Sequence, residues 1–290
     1  MPSYKIGISH FRQDEADYIS LLPDQKDIGQ TVINEYIKDK KIILTLYKKW
    51  KKQFNKLMPY YYNFFESDLS NFTNKQIIKK LEELHSVYSH KVSMPGFIDG
   101  FMFYAEGRFN DLIQKFCKQN DISNPFTISS TLTAPTSPSF FNEEENDLLS
   151  IAKKPSLEKI KNHILKYSWI KSSYAGYKEY TKENILEEMA RLREENKKDD
   201  NLFIKNKNKK IELIKKYKLN AEIVAITELS DILIKWQDQR KQYTLTYVTL
   251  KNKILKEIAK KTGAPFDLIV YSSAVSKKPI HLLLLLIKIT

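Results

Sequence analysis

The sequence predicts an all-α protein, an elongated helical bundle in which one long C-terminal helix with a heptad pattern forms the spine. Two observations carry this prediction. Only seven of the 290 residues are glycine, whereas turn-rich sandwiches, barrels and nucleotide-binding α/β folds use glycine more often. Hydrophobic residues also recur at steps of three and four through much of the chain, which is the period of one face of an α-helix.

The longest uninterrupted pattern predicts one helix over residues 220–262. Gly263 would supply the left-handed residue that ends many helices, and Pro265 lies just beyond it. A seam of this length indicates packing against other long helices, in a bundle or in a coiled coil. Arg240 lies on the seam, so its guanidinium needs a carboxylate partner or a path to water. The other seam residues are Ile226, Leu229, Leu233, Trp236, Tyr243, Tyr247, Leu250 and Ile254.

Shorter helices are predicted ahead of this spine. A three-and-four pattern begins near Asp39 and extends to Tyr61, and Pro59 should kink or end that helix. Thr73 and Gln76 have the spacing of a capping box and mark the next helix start. Further helices are predicted over residues 101–117 and from about Asn142, Pro155 and Thr181.

Three stretches read as irregular. Residues 1–37 mix polar residues with Pro and Gly and contain at most a short helix over 28–37. The stretch from Asp121 to Phe141 reads as a loop of about 20 residues, a length that is commonly functional or interdomain. The Asn- and Lys-rich run over 196–210 is predicted to be solvated. The chain thus divides into an irregular N-terminal segment (1–37), a helical bundle domain (38–271) and an atypical apolar tail (272–290).

The tail contains six consecutive apolar residues from Leu282 to Ile287, whereas a membrane-spanning helix needs about 20. A truncated or frameshifted gene would account for this tail, and a short docking segment is the alternative. The N-terminal residues lack a signal-peptide pattern, and the single Cys117 requires no oxidising compartment. We therefore expect a cytoplasmic protein.

The formal net charge is +13, which creates a positive field for nucleic acid, an anionic membrane surface or acidic ligands. Lysines concentrate in residues 38–56 and 205–218. Tyr47, Trp50 and Phe54 lie within the first group, but their helical spacing favours core packing over base stacking.

No self-contained active site is evident. The five histidines do not have metal-ligand spacing, no G-x-S-x-G elbow is present, and Cys117 lacks a local nucleophile signature. We expect neither a metal site nor a cofactor site in this chain. His163 lies on an apolar stripe, which is typical of a satisfied core or boundary histidine.

Four parts of the sequence resemble the helical middle region of the phosphoenolpyruvate-utilising enzymes, the family of phosphoenolpyruvate synthase, pyruvate phosphate dikinase and rifampin phosphotransferase. The similarity extends from about Asp39 to Tyr271. The stretches that carry it are residues 68–73 (DLSNFT), 135–141 (PTSPSFF), 163–170 (HILKYSWI) followed by 174–177 (YAGY), and 236–241 (WQDQRK).

The resemblance implies a region that joins an ATP-grasp nucleotide domain to a swivelling domain whose histidine carries the phosphoryl group. Such a region can also contribute to the acceptor pocket. The positions that hold the family's catalytic residues are absent here, so ATP and Mg²⁺ are expected only in domains that are missing from this chain or lie on another one. We expect a connector or acceptor-binding module of a phosphotransferase, inactive alone.

Two alternatives remain open: a free-standing basic helical module that binds nucleic acid or another polyanion, and a coiled-coil interaction protein. The sequence does not indicate the oligomeric state. The candidate pocket or buried-polar residues are His163, Trp169, Tyr174, Trp236, Asp238 and Arg240.

Overall fold

The computed structural model describes residues 7–12, 15–65, 67–88, 96–173, 177–194 and 201–275. These residues form eleven α-helices, two short 3-10 turns and one β-hairpin, which confirms the all-α class. The helices are α1 (Leu22–Lys38), α2 (Lys41–Phe65), α3 (Asn74–Val87), α4 (Phe97–Gln119), α5 (Pro125–Thr133), α6 (Phe140–Lys153), α7 (Leu157–Tyr167), α8 (Lys182–Glu194), α9 (Leu202–Tyr217), α10 (Ala221–Thr262) and α11 (Phe266–Val275).

Helix α10 confirms the predicted spine and its two ends. Its 42 residues extend about 63 Å at 1.5 Å per residue. The side chain of Asn220 accepts a hydrogen bond from the amide of Ile223, and Gly263 ends the helix with a φ of 69°. All nine residues of the predicted stripe, Arg240 included, are buried within this one chain.

Hydrogen bonds connect other parts of the chain to α10 at different positions along its length. Near its N-terminal end Tyr36 of α1 donates to Glu228. Further along, Tyr47 of α2 donates to Gln239, and near the C-terminal end Lys261 donates to the backbone oxygen of Ser70. The neighbours therefore pack at successive levels of the spine, which gives the bundle its elongated form.

The capping-box prediction is confirmed at α3. The Thr73 hydroxyl accepts from the amide of Gln76 at 3.3 Å, and the Gln76 side chain accepts from the amide of Thr73 at 2.8 Å. Pro59 lies inside α2 and does not end it, so of the two predicted effects, a kink or an end, the end is excluded.

The N-terminal segment is predicted to be irregular, but the structure shows regular elements there. Strands β1 (Gly7–Arg12) and β2 (Glu15–Ser20) form an antiparallel hairpin in which Gly7 lies opposite Ser20. Helix α1 then begins six residues earlier than expected, with Pro23 in its first turn, where proline is well tolerated. Its apolar face packs along α4.

The predicted loop between Asp121 and Phe141 contains helix α5. Asn124 caps this helix by accepting from the amide of Thr127, and Pro125 occupies its first turn. Ile128 and Leu132 are buried beneath it. A nine-residue helix of Ser and Thr residues has little helical propensity of its own, so burial of its apolar positions stabilises it.

The described part of the lysine-rich run is solvated as predicted except at Lys210, although residues 202–217 form α9. Lys210, expected in solvent, is 4% exposed and its ammonium lies 2.7 Å from Oδ1 of Asp231 on α10. None of the helices in the described ranges combines the length with the apolar character that a membrane span requires.

Candidate functional site

The structure places the predicted site residues in two regions. His163 and Trp169 lie on α7 and in the 3-10 turn that follows it, and Trp236, Asp238 and Arg240 lie in the middle of α10. Tyr174 lies outside the described residues. Only Asp238 among the five described candidates is not fully buried.

His163 is the centre of a buried polar group that we call the His163 cluster, formed by His163, Glu144, Asp147 and Tyr180. The His163 Nδ1 atom lies 2.6 Å from Oδ2 of Asp147. Its Nε2 atom lies 3.3 Å from Oε1 of Glu144 and 3.3 Å from the Tyr180 hydroxyl. Both ring nitrogens are therefore engaged, and the imidazole is held in one orientation.

The Tyr180 hydroxyl completes the His163 cluster by donating to Oε1 of Glu144. Burial, and then the hydrogen bond and charge of Glu144, hold the pKa of Tyr180 far above its ordinary value. The hydroxyl therefore remains a donor. The Lys171 ammonium lies 5.2 Å from the centre of the Tyr180 ring. This arrangement ties α6, α7 and the segment before α8 together, as a buried polar network does when its members are satisfied.

Glu144 and Asp147 belong to an acidic run near the start of α6, and both side chains are directed toward His163. The spacing of these residues in the sequence indicates that they lie on one side of the helix, because residues three or four apart share a helix face. Glu144 and Asp147 thus lie on the side of α6 that also buries Leu148 and Ile151.

Trp169 belongs to the core beside this cluster. Its ring centre lies 5.2 Å from that of Phe140, at the first residue of α6, in an edge-to-face arrangement. Its indole N–H donates to the backbone oxygen of Lys166 at 2.9 Å. At 1% exposure, the indole is not available to a ligand.

Arg240 has the carboxylate partner that its place on the seam requires. Its two terminal nitrogens lie 2.8 and 2.7 Å from the two carboxylate oxygens of Asp99 on α4. This bidentate contact fixes α4 against the middle of α10. Planar pairs of this kind are among the stronger charge-assisted contacts in proteins.

Trp236 lies at the centre of an aromatic cluster one turn earlier on α10. The ring centres of Tyr47, Trp50 and Phe97 lie 5.4, 5.9 and 5.3 Å from that of Trp236. This agrees with the interpretation that the aromatic residues of α2 serve the core. The buried indole N–H of Trp236 finds no acceptor among the described residues, at a cost of about 1–3 kcal/mol.

Asp238 is the candidate that reaches the surface. Burial raises its pKa, the charge of Lys241 lowers it and that of Glu143 raises it. Burial lowers the pKa of Lys51 on α2, whereas the charge of Glu143 raises it. Glu143 thus lies close enough to both side chains to influence them. We call this surface the Glu143 patch; it consists of the exposed Glu143 and the half-buried Lys51, Asp238 and Lys241.

A separate groove of about 240 Å³ lies between α4, α5 and α10. Its floor is apolar and includes Met102, Phe109, Leu132 and Ile226, and Glu106 is the charged residue in its lining. None of the predicted site residues lines this groove. Sequence reasoning missed it because α5, which forms one wall, was predicted to be loop.

In the part of the chain that the structure describes, no group of three or more His, Cys, Asp or Glu residues is arranged to hold a metal ion. No protein-family model, no curated protein and no solved structure matches this chain. The functional argument therefore depends on the residues and their geometry.

Proposed function

We propose that this chain is a helical connector or acceptor-binding module of a phosphoenolpyruvate-utilising phosphotransferase, and that it is catalytically incomplete by itself. Its partners are an ATP-grasp domain and a swivelling histidine domain carried outside the described residues or on another chain. In this proposal ATP and Mg²⁺ bind to those partners.

The observation that supports the proposal is that the stretches resembling the family pack together. Phe140, from residues 135–141, contacts Trp169, from residues 163–170. The helix that begins at Phe140 supplies the carboxylates that hold His163.

The long helix α10 contains or contacts the other two stretches that resemble the family. Asp238, from residues 236–241, lies close to Glu143, one turn into the helix that follows residues 135–141. The stretch 68–73 contacts α10 through the bond from Lys261 to the backbone oxygen of Ser70. Helix α10 is about 63 Å long and packs against other helices at several positions along its length. Such a helix is suited to a module that holds two mobile domains apart.

The Glu143 patch is where this module would meet an acceptor or a partner domain. Three of its charged groups, Lys51, Asp238 and Lys241, are half-buried and so are less screened than fully exposed charges, whereas Glu143 is exposed. It lies where α2, α6 and α10 adjoin, and it contains the one described candidate residue that solvent reaches.

Reconstitution with separately produced domains tests the proposal. The chain is mixed with the ATP-grasp and swivelling histidine domains encoded in the same genome, and radiolabelled ATP is added. We expect a stable complex by size-exclusion chromatography with light scattering. We also expect faster formation of phosphohistidine on the swivelling domain when the chain is present.

Paired variants assign the effect to the patch. Glu143→Gln with Asp238→Asn should weaken the complex, whereas Glu82→Gln with Glu187→Gln removes the same charge from exposed positions elsewhere and should not. No complex at low salt, or equal phosphohistidine formation with and without the chain, would contradict the proposal.

A further inference from the structure

The outward face of α2 carries an unusual density of positive charge. The helix contains six lysines and no Asp or Glu from Lys41 to Phe65. Its apolar face is buried against the bundle through residues such as Trp50, Leu57 and Tyr61. Five of the lysines are exposed, and we call them the lysine face: Lys41, Lys48, Lys49, Lys52 and Lys56.

These five lysines form a row along one side of the helix. With 3.6 residues per turn they lie within an arc of about 100°, and from Lys41 to Lys56 they extend about 22 Å along the axis. Lys48, Lys52 and Lys56 follow one another at intervals of about 6 Å. The row is straight and points into solvent.

None of the five ammonium groups forms an ion pair with a carboxylate of the described residues. Other lysines of this protein form such ion pairs. The ammonium of Lys40 lies 2.6 Å from Glu228, that of Lys80 lies 2.8 Å from Glu83, and that of Lys210 lies 2.7 Å from Asp231. The charge of the lysine face is therefore not neutralised within the described fold, and it is free to attract an anion.

The neighbouring elements extend the positive surface. Burial and then the charge of Lys235 on α10 lower the pKa of Lys51, so Lys235 lies near this side of α2. Burial raises the pKa of Tyr62 and the charge of Lys166 on α7 opposes it, which places Lys166 near the C-terminal end of α2. Glu143 is the carboxylate that acts on Lys51.

We propose that the lysine face binds the phosphodiester backbone of single-stranded nucleic acid without reading its sequence. Regularly spaced cations that track a backbone, together with an aromatic ring on which a base stacks, are the features of such sites. Tyr62, 37% exposed, lies at the C-terminal end of the same helix, about 40° outside the arc of the lysines, and supplies that ring. Stacking needs an unpaired base, which selects a single strand over a duplex.

A lipid surface fits the same charges less well. A helix that lies on a membrane inserts an apolar face between the headgroups. The apolar face of α2 is already buried in the bundle. The exposed residues between the lysines include the polar Thr45 and Asn55, and Leu44, 44% exposed, is the large apolar residue among them.

Fluorescence anisotropy of a labelled oligo(dT) strand tests this proposal on the full chain. Each neutralised phosphate of a single strand contributes about −0.7 to the slope of log K against log salt. Four to five contacts therefore predict a slope of about −3 and a loss of affinity of about 50- to 100-fold between 50 and 200 mM salt.

A charge-reversal variant and a matched control locate the site. Lys48→Glu, Lys52→Glu and Lys56→Glu together should make the slope shallower by about 2 and abolish most binding. Lys209→Glu, Lys215→Glu and Lys216→Glu on α9 cause the same change in net charge and should reduce affinity far less. A triple Lys→Gln variant of the lysine face, with circular dichroism of each protein, separates loss of contact from loss of fold.

Several results would overturn the proposal. They are absence of binding at low salt, equal losses in the two triple variants, tighter binding to duplex than to the single strand, and binding to anionic phospholipid vesicles that the oligonucleotide does not displace. The result is independent of the phosphotransferase proposal, because the oligonucleotide assay contains no partner domain.

Discussion

Arg240 and Arg108 each make a bidentate contact with a carboxylate, in different surroundings. Arg240 pairs with Asp99 at a position where its side chain is 10% exposed. Arg108 pairs with Glu222 through two nitrogens at 2.7 and 2.8 Å, but its side chain is 38% exposed. The two pairs differ in burial and also in the nitrogens that bind, which are Nη1 and Nη2 in Arg240 but Nε and Nη2 in Arg108.

We expect Arg240→Ala to lower the free energy of unfolding by about 3 kcal/mol, because Asp99 loses its partner in a poorly solvated position. The matched Arg108→Ala should cost about 1 kcal/mol or less, as exposed pairs do. Urea denaturation of both variants measures the difference. Equal losses would show that Arg240 behaves as a surface residue.

Lys251 on α10 is a half-buried cation whose contacts differ from those of Arg240. Burial lowers its pKa below the ordinary value of 10.5, and no hydrogen bond or ion pair joins its ammonium to the described residues. Because its pKa is lower in the folded state than in the unfolded state, the charge destabilises the fold at neutral pH. That cost disappears as the pH rises toward the unfolded value.

We therefore expect Lys251→Met to raise the melting temperature at pH 7, with a gain that shrinks as the pH approaches 10.5. Lys253→Met is the comparison, because burial also lowers the pKa of Lys253, but its ammonium donates to the backbone oxygen of Phe65 and lies 4.7 Å from that ring. Loss of those contacts should make its gain smaller than that of Lys251→Met. A constant gain for Lys251→Met at every pH would mean that charge is not the cause.

At the scale of elements, the contact between α1 and α4 depends on one glycine. A Cβ atom added at Gly29 would overlap the side chain of Tyr104 on α4. The Tyr104 hydroxyl also donates to Gln30, so the tyrosine is held at this crossing. Gly107, further along α4, has open space around its Cα.

Gly29→Ala should therefore destabilise the protein by about 1–3 kcal/mol, since overpacking forces a shift of Tyr104 or of the helix. Gly107→Ala should instead stabilise it by about 0.5–1 kcal/mol, because alanine loses less backbone entropy in a helix. Thermal melts followed at 222 nm compare the two. Stabilisation by Gly29→Ala would disprove the close approach of α1 and α4.

At the scale of the whole molecule, α10 packs against different helices at successive positions along its length. Because one continuous helix passes through every layer, we expect one cooperative unfolding transition, as the predicted single bundle domain over 38–271 requires. Urea curves followed by circular dichroism and by fluorescence of Trp50, Trp169 and Trp236 should coincide. Two separated midpoints would indicate independent units.

The sequence by itself determined the helical class, the spine and its ends. These features depend on residues three or four apart, so they can be read locally: the stripe on α10, the cap at Asn220, the left-handed Gly263 and the box at Thr73. The predicted loop that became α5 shows the limit of local reading, since its helicity comes from burying Ile128 and Leu132.

Only the tertiary structure decided which side chains meet. Arg240 and Asp99 are 141 positions apart, and His163 finds its carboxylates on a different helix. The lysine-rich composition of α2 was visible in the sequence, but the fold decides which lysines lack a partner. Pairing between distant residues depends on how helices pack, and packing sums many weak contacts that no short stretch of sequence contains.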